Sequence, residues 1–130
     1  MLIKFVRPPL YDMIHTFLPR KHGIIYCHGD TIYNPDRVPV SAALMVHEEV
    51  HSKQQGSAPY NWWVDYLVEP LFRFNQELEA HRGEYQWYMD HGNRKQRRGA
   101  AKSISQRLAS ALYGHVVTKK AAMRMIVQPE

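Results

Sequence analysis

Apolar residues recur at helical spacing along one central stretch of the chain and predict an amphipathic helix from 42 to about 55. Val46 and Val50 belong to its apolar stripe. Ser41 is a suitable N-cap, because its hydroxyl can accept a hydrogen bond from a backbone N–H of the first turn. Gly56 directly follows the last turn, and glycine favours a helix C-terminus.

A second long helix is predicted from about 72 to 90, again because apolar and aromatic residues share one face. Pro70 ends a shorter aromatic helix over 61–67, and Gly92 is a suitable C-cap of the long helix. The residues on the shared face of the long helix are Phe74, Leu78, His81, Tyr85 and Tyr88.

Strand-forming residues are concentrated near the N-terminus. β-Branched and aromatic residues at 23–28 and 31–33 flank a Gly-Asp turn at 29–30, which predicts a β-hairpin. A short helix is predicted at 11–18. The fold class that follows is α+β, mostly helical, with a small β-hairpin or sheet near the N-terminus.

The last third of the chain begins with a basic segment. Residues 93–102 are poor in apolar side chains, which predicts an exposed, mobile loop. Ser103 and Gln106 have the spacing of a capping box and predict a helix that runs through Leu112. Thr118 is the predicted N-cap of a last helix.

Length and composition fit one globular domain over 1–130, since the chain has 130 residues and is 45% hydrophobic. Lys and Arg number 17 against 12 Asp and Glu, and this net charge of +5 permits an anionic partner without requiring one. The single cysteine, Cys27, excludes an internal disulfide and a Cys-rich zinc site. Charge and proline interrupt the N-terminus too early for a secretory signal, and no apolar run reaches the roughly 18–20 residues of a membrane span. We therefore expect a soluble protein of a reducing, cytoplasmic compartment.

The first long helix contains an HExxH motif, His47-Glu48-Glu49-Val50-His51. Residues four apart lie on the same face of a helix, so His47 and His51 can bind one metal ion. The carboxylate of Glu48 can then reach a metal-bound water, take its proton and pass it to a leaving amine. Zinc is the metal expected for this motif, and a surface helix with two exposed histidines is the alternative.

A catalytic zinc ion usually has three protein ligands and a water. A third histidine six residues after His51 would complete one form of the motif, but that position is Ser57. Glu77 is the predicted third ligand, because it lies on the apolar face of the second long helix, where burial of a carboxylate is costly without a cation. Glu79, about 200° farther around that helix, is the alternative. His81 is a candidate fourth ligand, which would close the site and make it structural.

HEEVH on one helix, followed by Glu-Leu-Glu-Ala at 77–80 on the next, resembles the gluzincin metallopeptidases. It is most similar to the branch that contains the CAAX prenyl endopeptidases and the heat-shock membrane protease HtpX. In that branch a Glu-x-x-Ala-Asp pattern supplies the third zinc ligand and an Asp that orients a zinc-bound histidine. Glu77 and Ala80 match this pattern, whereas His81 stands at the Asp position. Glu84 and His81 are the candidates for the orienting role.

The run His-Ser-Lys-Gln-Gln at 51–55 also resembles the HExxH-x-x-Gln-Gln run of small soluble relatives, some of them encoded by phages. The resemblance covers about residues 41–90 and lacks the membrane helices of the larger branch. It implies a minimal zincin core and a zinc-dependent peptidase that acts on a peptide or protein substrate. The implied location is the cytoplasm of a bacterial or phage-infected cell, with virion association as an alternative.

Two further features of zincins have candidates here. Tyr113 and His115 lie near a predicted helix end, and either can donate a hydrogen bond to the tetrahedral oxyanion. The alternative for Tyr113 is a core residue. An edge strand beside the active helix binds extended peptide in zincins, and residues 31–33 are the candidate strand, with an ordinary hairpin as the alternative.

Two other functional classes remain open. The first is a zinc-stabilised structural or virion-assembly protein without turnover. The second is a basic nucleic-acid-binding module, but no aromatic residue is interleaved among its charges, so a solvated loop is favoured. The cations of that segment are Arg94, Lys95, Arg97, Arg98 and Lys102.

Overall fold

The computed structural model describes residues 1–127, which form several helices and a small three-stranded sheet. This confirms the predicted mostly helical α+β class. In chain order the elements are β1 (Leu2–Lys4), α1 (Tyr11–Phe17), β2 (Tyr26–His28), β3 (Thr31–Tyr33), α2 (Ala42–Gln55), α3 (Pro59–Val68), α4 (Pro70–His91), α5 (Arg94–Leu108), a 3-10 helix (Ala111–Tyr113) and α6 (Lys119–Val127).

The sheet has the order β1-β3-β2, so β3 is its central strand. β2 and β3 pair antiparallel with Cys27 opposite Ile32, which confirms the predicted hairpin. β1 pairs parallel with β3 and places Ile3 opposite Ile32. The prediction that 31–33 is an edge strand is therefore wrong, because β1 covers its other side. β1 has only three residues, all exposed, and leaves no periodic pattern in the sequence.

The two long helices α2 and α4 pack directly against each other. The Ser41 hydroxyl accepts a hydrogen bond from the Leu44 backbone N–H over 3.1 Å and begins α2 as predicted. At Gly83 on α4 the chain has no side chain, and a Cβ there would lie 3.1 Å from Val50 Cγ2 on α2. This close approach brings side chains of the two helices into a shared site. Glu69 alone separates α4 from α3.

The basic segment is a helix, and the prediction of an exposed loop over 93–102 is wrong. The Asn93 side chain accepts from the Gln96 N–H and the Gln96 side chain accepts from the Asn93 N–H, each over 2.8 Å. This capping box begins α5 about ten residues before the predicted start at Ser103, which lies inside the helix. The buried stripe of α5 is narrow, with Ala101 and Ile104 among its members, so it gives little hydrophobic signal.

The end of the described chain agrees with the predicted elements in part. α5 ends at Leu108, and a separate 3-10 turn at Ala111–Tyr113 replaces the predicted extension of the helix through Leu112. The Thr118 hydroxyl accepts from the Ala121 N–H over 3.1 Å and begins α6 as predicted.

Many of the buried apolar residues form two clusters. The first joins α1, β2 and α3, and its buried members are Ile14, Tyr26, Trp62, Trp63, Tyr66 and Leu67. The second joins α4, α5, the 3-10 helix and α6, and its buried members are Phe74, Ile104, Leu108, Tyr113, Ala122 and Ile126. Among residues 1–127, no helix combines the length and the hydropathy that a membrane crossing would need.

Candidate metal centre

Three buried side chains from α2 and α4 bring potential ligand atoms together at one point. Glu77 Oε1 lies 3.0 Å from His47 Nε2 and 3.2 Å from His51 Nε2, and the two Nε2 atoms are 3.2 Å apart. Tetrahedral zinc with bonds of about 2.0–2.1 Å separates its ligand atoms by about 3.3 Å. The near-equilateral triangle in the protein therefore has the size of one face of a zinc tetrahedron, and these three residues could hold a metal ion.

The other nitrogen of each histidine is held by an oxygen acceptor. His47 Nδ1 donates to Glu84 Oε1 over 2.9 Å, and His51 Nδ1 donates to Gln54 Oε1 over 2.8 Å. A neutral imidazole that carries its proton on Nδ1 presents a lone pair at Nε2. Both rings are therefore oriented as metal-bound histidines usually are, with the lone pairs directed at the shared point.

Gln54 is fixed in turn by two further acceptors. Its Nε2 donates to the Gln76 carbonyl over 3.0 Å and to Glu79 Oε1 over 2.7 Å, which directs its Oε1 toward His51. Glu79, the alternative third ligand, thus lies outside the centre and supports it through Gln54. In the sequence, Gln54 is marked only by its place in the His-Ser-Lys-Gln-Gln run at 51–55, which does not indicate this contact.

Glu77 has one oxygen toward the histidines and the other toward α3. Its Oε2 accepts a short hydrogen bond from the Tyr66 hydroxyl, a contact that the sequence does not indicate. Burial opposes ionisation of Glu77, but the facing His51 and His47 outweigh it and hold the pKa of this carboxyl well below its usual range. Glu77 is therefore an anion in the interior of the protein.

The surrounding charges favour a cation at this point. Burial opposes ionisation of Glu84, but hydrogen bonds from His47 and His81 lower its pKa to about 2. Burial also opposes a charge on His47, but hydrogen bonds to Glu77 and Glu84 raise its pKa to about 10. Without a metal, protons on the histidines balance the buried carboxylates. A bound divalent ion would replace those protons.

His81 belongs to a neighbouring cluster and not to the three-atom centre. It is 1% exposed, and its Nδ1 donates to Glu84 Oε1 over 3.0 Å. Its ring centroid lies 4.5 Å from that of His47, and its Nε2 has no hydrogen-bond partner within residues 1–127. Glu84 therefore takes the orienting contact to His47, and His81 helps to fix Glu84.

Glu48 lies beside the centre on the wall of a cavity. Its side chain is buried, and Oε2 is 3.9 Å from His47 Nε2. Burial is the main reason that its pKa is raised above the ordinary value. The cavity has a volume of about 380 Å³ and is also lined by the three candidate ligands. This size falls within the range of small-ligand sites.

The two candidate oxyanion donors are in different places. Tyr113 is buried and lines the cavity with Glu48 and the candidate ligands. Burial first, and then the charge of Glu77, raises its pKa well above the usual value. His115 is exposed, does not line the cavity, and its Nδ1 donates to the Ala109 carbonyl over 3.0 Å. The structure brings Tyr113 to the site and leaves His115 outside it.

The edge strand next to α2 is β2. The Cys27 carbonyl accepts from Gln55 Nε2 over 2.8 Å and from Trp63 Nε1 over 3.0 Å, so the outer edge of β2 is occupied at this residue. Gln55 Oε1 also accepts from the Gly29 N–H over 2.6 Å and ties α2 to the hairpin. Residues 23–25, just before β2, line the cavity.

Comparisons with protein-family models, curated proteins and solved structures find no match to this chain.

Proposed function

We propose that this protein is a zinc-dependent metallopeptidase of the gluzincin type. The observation that carries the proposal is the triangle of His47 Nε2, His51 Nε2 and Glu77 Oε1, with sides of 3.0–3.2 Å, beside a buried glutamate in one cavity. The HExxH motif alone supplies two histidine ligands on one face of α2. The fold adds a carboxylate from a second helix and an acceptor behind each ring.

His47, His51 and Glu77 would hold the zinc ion. When bound, zinc lowers the pKa of a coordinated water toward about 7 and polarises the scissile carbonyl. Glu48 would take a proton from that water and return it to the leaving amine. Tyr113, which lines the same cavity, would donate a hydrogen bond to the tetrahedral oxyanion.

A peptide substrate suits the shape of the cavity. Its walls combine the polar centre with apolar side chains such as Trp62 and Leu112. An extended peptide could pair with the backbone of 23–25, since the Cys27 carbonyl is already occupied. The proposed site for pairing with a peptide strand is therefore the segment before β2, and not β3.

A structural zinc protein is the second candidate, and the depth of the centre favours it. Structural sites usually have four protein ligands, however. Within residues 1–127 the group around Glu77 Oε1 has three members, and the group that contains His81 is centred on Glu84. Three ligands beside a cavity leave a coordination position for water, which favours a catalytic site.

The test is a matched pair of variants, Glu48→Gln and Glu49→Gln, on zinc-loaded, tag-free protein. Glu48 is buried in the cavity, whereas its neighbour Glu49 is exposed. Both variants should retain zinc. Cleavage of a library of unstructured peptides, followed by mass spectrometry, should fall at least about 100-fold in Glu48→Gln and stay at the wild-type rate in Glu49→Gln. Zinc-loaded wild type that cleaves no peptide would favour the structural candidate, and equal cleavage by both variants would exclude Glu48 as the base.

A further inference from the structure

Charge is strongly segregated along the chain. Residues 93–127 contain nine Lys and Arg and no Asp or Glu, whereas residues 1–92 contain eight Lys and Arg and eleven Asp and Glu. Residues 93–127 thus have a formal charge of +9 and residues 1–92 of −3, and Glu130 completes the net charge of +5. The nine cations are Arg94, Lys95, Arg97, Arg98, Lys102, Arg107, Lys119, Lys120 and Arg124.

These cations lie on α5 and α6, and the two helices pack against each other. Eight of the nine are exposed, and Arg97 is half-buried. Within residues 1–127, none of the nine makes an ion pair with a carboxylate. Arg107 lines the cavity of the candidate metal centre, and we call the surface formed by the other eight cations the α5–α6 face. Its positive charge is not balanced by its own surroundings.

The placement of charge on α5 works against the stability of the helix. Arg94 and Lys95 occupy its first turn, which has no acidic residue. The N-terminus of a helix already has a partial positive charge, so cations there are unfavourable. An unfavourable placement of charge such as this one often indicates a functional requirement. An anionic partner would convert the same positive charge into attraction.

The cations of α5 form a row. Arg94, Arg98 and Lys102 are four residues apart and follow one another along one side of the helix at steps of about 6 Å. Arg94, Arg97 and Arg98 also line a groove of about 280 Å³ that includes Tyr85 from α4, a residue partly buried against the second apolar cluster. No aromatic residue is interleaved with these cations in the sequence, but the fold supplies one. Cations combined with an aromatic ring suit a single nucleic-acid strand, whose phosphates and bases they contact separately.

We propose that the α5–α6 face binds the sugar–phosphate backbone of nucleic acid without sequence readout. A membrane surface fits less well, because α5 exposes no large apolar side chain to insert among lipids and α6 exposes only Val127. An acidic protein would complement the positive charge, but it would not account for the row of cations along α5 or for the groove that contains Tyr85. The α5–α6 face contains none of the candidate metal ligands, so nucleic-acid binding and peptide cleavage can fail separately.

The test measures binding of fluorescein-labelled single-stranded DNA by anisotropy, over a range of salt concentrations. Tag-free wild type should bind at about 50 mM salt, and the affinity should fall steeply as salt rises. Arg98→Gln with Lys102→Gln should weaken binding at least about tenfold and reduce the slope of log affinity against log salt by about 1.4. Lys4→Gln with Lys53→Gln also lowers the net charge from +5 to +3, at exposed positions on other elements, and should change affinity less than about twofold.

A second measurement uses the wild type alone and so does not depend on how the variants fold. Lysine acetylation followed by mass spectrometry should show that DNA protects Lys102 and Lys120 and leaves Lys4 reactive. The proposal is overturned if wild type does not bind DNA at low salt, or if both double variants weaken binding equally. Binding to anionic phospholipid vesicles or to polyglutamate, without binding to DNA, would also overturn it and would identify the partner class instead.

Discussion

Replacement of Glu84 tests whether zinc affinity depends on residues outside the HExxH motif. Glu84 is not a ligand of the three-atom centre and lies outside HExxH, yet its Oε1 accepts from His47 Nδ1 over 2.9 Å and from His81 Nδ1 over 3.0 Å. Glu84→Gln removes the negative charge that both imidazoles face. Loss of such an outer partner typically lowers metal affinity 10–100-fold. We therefore expect zinc binding to weaken by about 1.4–2.8 kcal/mol.

The assay is competition for zinc against a fluorescent chelator at neutral pH, starting from metal-free protein. Glu49→Gln is the matched control, because it makes the same chemical change at an exposed position of α2. It should bind zinc as the wild type does. If Glu84→Gln binds zinc within about twofold of the wild-type affinity, the idea that Glu84 orients His47 is refuted.

Other predictions follow from the same structure. Tyr113→Phe should lower kcat about 100-fold with zinc content unchanged, whereas His115→Ala should leave kcat unaltered. Steady-state rates on one peptide would show this difference, and equal losses of kcat would contradict the assignment of Tyr113 as the oxyanion donor. Burial raises the pKa of the Cys27 thiol to about 12, so at pH 8 iodoacetamide should alkylate the folded protein at least about 100-fold more slowly than the protein in guanidinium. The free energy of unfolding should also fall as pH rises from about 9 toward 12, because only the unfolded thiol ionises there. In urea denaturation Asn93→Ala should cost about 1 kcal/mol and Ser103→Ala less than about 0.5 kcal/mol, and the reverse order would place the helix start at Ser103.

The sequence predicts those parts of the site that depend on a single helix. The spacing of His47 and His51 puts both rings on one face of α2. The apolar stripe of α4 predicts which of two glutamates is buried, and Glu77 is 5% exposed whereas Glu79 is an exposed residue. Helical periodicity carries this information because it is local.

Contacts between elements are not visible in the sequence. The hydrogen bond from Tyr66 to Glu77 and the hydrogen bond from Gln54 to Glu79 depend on how α3 and α2 pack on α4. The hydrophobic pattern does not indicate the first half of α5, for a different reason. Its first turns are almost entirely polar, and the signal that begins it is the capping box of Asn93 and Gln96.

The central claim is that His47, His51 and Glu77 hold one metal ion. The most direct measurement is elemental analysis of tag-free protein after dialysis against zinc and then against metal-free buffer. The wild type should retain about one zinc per chain, His47→Ala and His51→Ala should retain none, and Glu77→Ala should retain less than the wild type. Wild type that retains no metal, or a Glu77→Ala variant that retains as much as the wild type, would contradict the account.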